Sequence, residues 1–177
     1  MNDFEQMLTG GHPNSLGNTV AVVNIILADR KRFDELYQCY FSSDEVVRLR
    51  VSNAMKRICR EHPDWLVPSL DKFINEISTI NQASTQWTLA QLFLWLDGDM
   101  SDAQKQKAVQ ILKTNLEQSN DWIVQNNTIE TLGAWARSDE ELRRWLLPRL
   151  DNLINGGRKS VEARATKIKN TLNGTKN

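Results

Sequence analysis

Trp65-Leu66-Val67-Pro68-Ser69-Leu70-Asp71-Lys72-Phe73-Ile74-Asn75 reappears 80 positions later as Trp145-Leu146-Leu147-Pro148-Arg149-Leu150-Asp151-Asn152-Leu153-Ile154-Asn155. Seven of the eleven positions are identical, and the differences include the conservative exchanges Val67/Leu147 and Phe73/Leu153. A tryptophan, a proline and an aspartate do not fall into common register by chance, so the chain is built from repeats. The offset spans two of them.

A second type of segment lies between the copies. From Val47 to Ile58, apolar residues stand at 47, 51, 54, 55 and 58, the i, i+4, i+7, i+8, i+11 stripe of an amphipathic helix. The stripe returns through Leu89, Leu92, Phe93 and Leu96, then Val124, Thr128, Leu132 and Trp135, then Val161, Ala165, Ile168 and Leu172. With Val47, Thr85, Val124 and Val161 as equivalents, the spacings are 38, 39 and 37 residues.

These residues resemble the HEAT repeat. Val47, Arg48, Val51, Ala54 and Met55 match the pattern of its second helix, and Pro68 and Pro148 match the proline of its first. The likeness covers residues 30–172, although the period falls short of the usual spacing of about 40–47 residues, and the third unit lacks both proline and arginine. The resemblance implies an all-α fold, a right-handed α-α superhelix of about four HEAT-like helical hairpins. Residues 1–177 are expected to form a single domain, with capping helices in 1–29, repeats in 30–172 and a flexible tail in 173–177. A lone hairpin of this kind cannot bury its own apolar stripe, so each must pack on its neighbours.

Local signals place helices near 15–28, 30–41, 43–61, 63–79, 84–97, 101–118, 120–136, 139–155 and 158–172. Ser101 with Gln104 and Ser138 with Glu141 have capping-box spacing. Pro63 suits a first helical position, and Gly98 and Gly156-Gly157 follow helical runs where a left-handed cap is expected. Pro68 and Pro148 fall inside helices and should kink them. Trp65, Trp135 and Trp145 sit on core stripes. Trp87 and Trp95 align with the columns of Leu49 and Arg57, off the stripe, and Trp122 occupies a first turn, where it is expected to cover a repeat junction.

Composition narrows the function. The 22 basic and 22 acidic residues cancel, so no global field draws the chain to nucleic acid or membrane. Six Lys or Arg against one Glu in 158–177 make the last helix locally basic. Apolar runs such as Val20–Ala28 are too short to span a bilayer, and the acidic N-terminus differs from a secretory signal. A cytoplasmic location is expected. Cys39 and Cys59 stand apart with no ligand spacing, and His12 and His62 both precede proline in turns. Asp97, Asp99 and Asp102 lack the remaining ligands of a calcium loop. No catalytic, cofactor-binding or metal-binding residue is assigned. Gly10–Gly17 reads as a turn ending in an Asn14 or Ser15 cap, or as a loop that closes over one end of the stack or contacts a partner.

The HEAT resemblance implies that second helices line a concave binding face. Its non-core positions would be Arg50, Asn53 and Arg57, then Gln91 and Trp95, then Asn127 and Glu130, then Arg164 and Lys167. Guanidinium, amide and indole groups together suit a protein partner, and imply a non-enzymatic scaffold or adaptor. The alternative is nucleic-acid binding, since the DNA alkylation-repair glycosylases are also HEAT-like stacks. Residues 119–138, with two acids and one arginine, interrupt the basic track that phosphate binding needs.

Overall fold

The computed structural model describes residues 3–12, 15–156 and 158–174. It is all α, with no strand among these residues. Two compact units, Met1–Thr88 and Leu89–Asn177, divide the chain.

In the first unit, α1 (Asp3–Leu8) and α2 (Thr19–Ala28) precede α3 (Phe33–Gln38), which is flanked by 3-10 turns at Arg30–Arg32 and Cys39–Phe41. Helix α4 (Glu45–Glu61) follows, then α5 (Pro63–Leu66), a 3-10 turn at Val67–Ser69, α6 (Leu70–Asn75) and a 3-10 turn at Ile77–Thr79. Helix α7 (Ala83–Trp95) crosses the boundary. The second unit continues with a 3-10 turn at Asp97–Asp99, α8 (Asp102–Gln118), α9 (Trp122–Trp135), α10 (Glu140–Gly156) and α11 (Lys159–Gly174).

The amphipathic stripes face inward as their period requires. Val47, Val51, Ala54, Met55 and Ile58 of α4 are buried, and α1, α2 and α5 pack against that helix. Their equivalents Thr85, Val124 and Val161 are buried as well. Tyr37, Tyr40 and Phe73 join edge to face, with centroids 5.9–6.5 Å apart. Burial raises the pKa of both phenols, and the Glu76 carboxylate that accepts from Tyr37 Oη at 3.1 Å adds to the shift of Tyr37. In the second unit α9 packs on α8 and α11, and α11 on α10. Gly133 permits the close approach of α9 and α11: a Cβ there would stand 2.6 Å from Ile168 Cγ2.

A serine two residues before an aspartate opens the second helix of a hairpin in each unit. Asp44 Oδ1 accepts from Val46 N at 2.8 Å, while Ser42 Oγ accepts from Asp44 N at 3.1 Å. Asp121 Oδ1 accepts from Ile123 N at 2.8 Å and Val124 N at 3.0 Å, and Ser119 Oγ accepts from Asp121 N at 3.2 Å. The same scaffold explains the missing arginine of the third unit. Arg48 donates to the Ser42 carbonyl at 2.5 Å, and Gln125, 77 residues on, donates to the Ser119 carbonyl at 3.2 Å. An amide replaces the guanidinium in the same task.

Several local expectations need correction. The Ser101/Gln104 box forms, but Ser138 caps nothing: its hydroxyl donates to Trp135 O, and Asp139 Oδ1 takes the Leu142 amide at 2.9 Å. The helix begins at Glu140, so Asp139 is the capping residue and the Ser138/Glu141 pair is one position out of register. Gly98 lies in a 3-10 turn and Gly156 in the last turn of α10, neither with positive φ, and Gly157 lies outside the described residues. The two prolines behave differently. At Pro68 the helix breaks into a 3-10 turn, whereas α10 runs through Pro148. The segment 30–41 is not one helix, and α2 starts at Thr19 rather than at residue 15. Asn173 and Gly174, expected in a tail, belong to α11, and 175–177 lie outside the described residues.

Trp135 is buried at 3% exposure, as its stripe position demands. Trp65 and Trp145 are only half-buried, contrary to expectation. Each precedes a fully buried leucine, Leu66 or Leu146, and one residue turns a helix by about 100°. Both indoles therefore sit on the flank, where basic side chains cover them. Arg30 lies 5.4 Å from the Trp65 ring, which stacks on His62 at 4.2 Å. Lys113 and Arg149 lie 4.8 and 3.8 Å from the Trp145 ring. The environments are alike in kind even though the depth was misread.

Candidate partner-binding face

Arg50, the first expected contact residue, is buried. It is 1% exposed, and its guanidinium donates to four backbone carbonyls of the N-terminal segment. Nε reaches Ser15 O at 3.1 Å, Nη1 reaches Leu8 O at 2.5 Å and Gly10 O at 2.6 Å, and Nη2 reaches His12 O at 3.2 Å. The loop is shaped to this cation. Gly17 has φ +50°, and a Cβ there would lie 2.9 Å from the Arg50 Cζ. The glycine-rich stretch thus closes around an arginine from α4. Ser15 Oγ accepts from Gly17 N at 3.1 Å and caps no helix, and Asn14 lies outside the described residues.

The other two positions on α4 differ from each other. Asn53 is half-buried, its amide bonded to Leu49 O at 3.2 Å, while Arg57 is exposed. Lys56 and Arg60 flank it in sequence. The Lys56 pKa is lowered by burial and then by the cations Arg60 and Arg57, so this end of α4 is locally positive.

In the second unit the expected positions come together. Gln91 Nε2 donates to Asn127 Oδ1 at 2.7 Å, linking α7 to α9. Asn127 is itself held by its Nδ2 on Ile123 O at 2.8 Å, and the buried Thr131 hydroxyl donates to Ala90 O at 2.7 Å. One turn further, Glu130 and Arg164 form an ion pair between α9 and α11. These contacts hold the side chains in place within the chain. Lys167 lies exposed beside them, and Trp95 is half-buried near the end of α7.

A groove of about 600 Å³ follows the seam between α9 and α11. Glu130, Arg164 and Lys167 line it, as do Arg137, Ser160 and Thr171, which sequence reasoning missed. Arg137 was legible in principle, seven residues beyond Glu130 and so on the same helical face. Ser160 and Thr171 carried no signal without the packing of α11. Elsewhere on α11, Lys169 pairs with Asp151.

No cluster of three His, Cys, Asp or Glu side chains able to hold a metal occurs among the described residues. Both cysteines are free and buried, and burial pushes the Cys59 thiol up to about 11. No helix among the described residues is long and apolar enough to cross a membrane.

Comparison with known proteins adds one finding. A family model described as HEAT repeat domain matches residues 5–99. No curated protein and no solved structure matches the chain.

Proposed function

Because the chain belongs to the HEAT repeat domain family, we propose that it is a non-enzymatic, cytoplasmic protein-interaction scaffold whose second helices grip a partner protein. Residues 1–177 act as one repeat array in this reading, and the repeats are the kind of surface that typically mediates protein contacts. The observation that carries it is the ordered row on α7, α9 and α11. The Gln91–Asn127 rung is pre-set, and the Glu130–Arg164 ion pair lies in a groove of about 600 Å³. Holding polar side chains in place beforehand lowers the entropy lost when a partner docks.

Nucleic-acid binding finds less support. Of the basic residues on α11, Arg164 is paired with Glu130 and Lys169 with Asp151. Duplex affinity depends on cations free to replace phosphate counterions.

Site-specific photo-cross-linking tests the reading. Benzoylphenylalanine is placed at Lys167 or Arg57, or at the exposed Gln106 of α8 as a control. Irradiation in host cells should yield a discrete protein adduct from position 167, and none from 106. An adduct from 106 alone, or one that nuclease removes, refutes the assignment.

A further inference from the structure

The α9–α11 groove carries a charge imbalance. Arg137, Arg164 and Lys167 face it against a single carboxylate, Glu130. That carboxylate is already engaged by Arg164. Arg137 and Lys167 are exposed and form no ion pair among the described residues. Between them the lining is apolar: Gly133 packed against Ile168, with Ala134 and Ala163. From Ser160 to Thr171 the α11 wall runs for about 16 Å at the helical rise per residue. That length matches about five residues of extended chain.

We propose that this groove receives an extended acidic segment of a partner protein, with carboxylates on Arg137, Arg164 and Lys167 and small side chains on the apolar lining. The inference rests on the scaffold reading and names the chemistry of the partner. Glu130 acts in it as an internal competitor. In the free chain it occupies Arg164, and an incoming carboxylate must displace or share that position. A neutral segment cannot do so, and a basic one meets two unpaired cations, so the groove discriminates by repulsion as well as attraction.

The test is fluorescence anisotropy with the full chain and four probes. These are a fluorescein-labelled octapeptide alternating Asp and Ala, its Asn/Ala and Lys/Ala counterparts, and a labelled oligothymidylate. The Asp/Ala peptide should bind most tightly, and its affinity should fall with salt. Combined Arg137→Glu and Lys167→Glu substitution should weaken it about tenfold or more. Glu130→Gln should strengthen it about threefold. Lys107→Glu, a single charge reversal on the exposed surface of α8, is a control that should leave binding unchanged. Because Arg137 and Lys167 are exposed, circular dichroism of the double variant should match the parent. Equal binding of the Asp and Asn peptides overturns the proposal. So does tighter binding of oligothymidylate, indifference to the double reversal, or no acidic-peptide binding by about 1 mM. If the acidic peptide fails while position 167 still cross-links a protein, only this inference falls. If position 167 yields no protein adduct, the scaffold reading itself fails.

Discussion

Replacing Arg50 with methionine tests the least expected feature of the fold. The substitution keeps an unbranched stem against the α4 core and removes the group that four carbonyls share. A hydrogen bond to a charged donor contributes about 1.5–3 kcal/mol, so four would suggest roughly 6–12. That sum overstates the loss. Gly10, His12 and Ser15 lie at the exposed edge of the loop, and water can reach their carbonyls once the loop opens. Only the Leu8 contact is buried throughout. A net destabilisation of about 3 kcal/mol is expected, close to one fully unsatisfied carbonyl plus partial losses at the others. Urea unfolding followed by far-UV circular dichroism measures it, and hydrogen exchange at Ser15 and Thr19 reports the loop directly. Both amides are hydrogen-bonded within this segment, to His12 O and Leu16 O. Arg50→Lys should recover little, since one ammonium lacks the planar fork of donors by which the guanidinium reaches four carbonyls. A loss below about 0.5 kcal/mol with unchanged exchange would mean that the loop holds itself and the arginine is incidental.

Gly17→Ala should destabilise by at least about 1 kcal/mol, because alanine at φ +50° is strained and its methyl would press on the guanidinium; thermal melting at parental stability would contradict the packing. Trp145→Ala should cost about 2 kcal/mol in chemical denaturation, less than the 3–5 typical of a fully buried ring; a cost above about 4 would place the indole in the core. Stability should decline as pH rises above about 10, where unfolded tyrosine begins to ionise while burial keeps Tyr37 and Tyr40 neutral in the native state. A 295 nm titration of the native protein showing both phenols ionising at the ordinary value would refute that account. Cys39 and Cys59 should resist a thiol-specific disulfide reagent at pH 8 until the chain is denatured, and prompt labelling would show that the thiols are not buried.

The architecture was written locally, and so it could be read locally. Helical period depends on residues a few positions apart, and the duplicated Trp–Pro–Asp phrase and the Val47 column restate the same local pattern along the chain, as a repeat fold requires. The Ser42–Asp44 and Ser119–Asp121 caps are equally local, although the sequence reading did not single them out. Depth and partnership were not local. Helical spacing puts Arg50 near the exposed edge of α4, but only the returning N-terminal loop, some 35–42 residues away, turns it into a buried cation. Trp65 and Trp145 fell one residue off the buried stripe, a rotation of about 100° that an apolar side chain disguises in sequence. Likewise Gln91, Asn127, Glu130 and Arg164 were recognisable as outward positions, yet their pairing required helices 34–36 residues apart to meet in register. Sequence determined which residues belong to which face of each helix, since that follows from backbone period. Tertiary structure decided which of those faces another part of the chain already occupies, because burial and hydrogen bonding are set by neighbours distant in sequence.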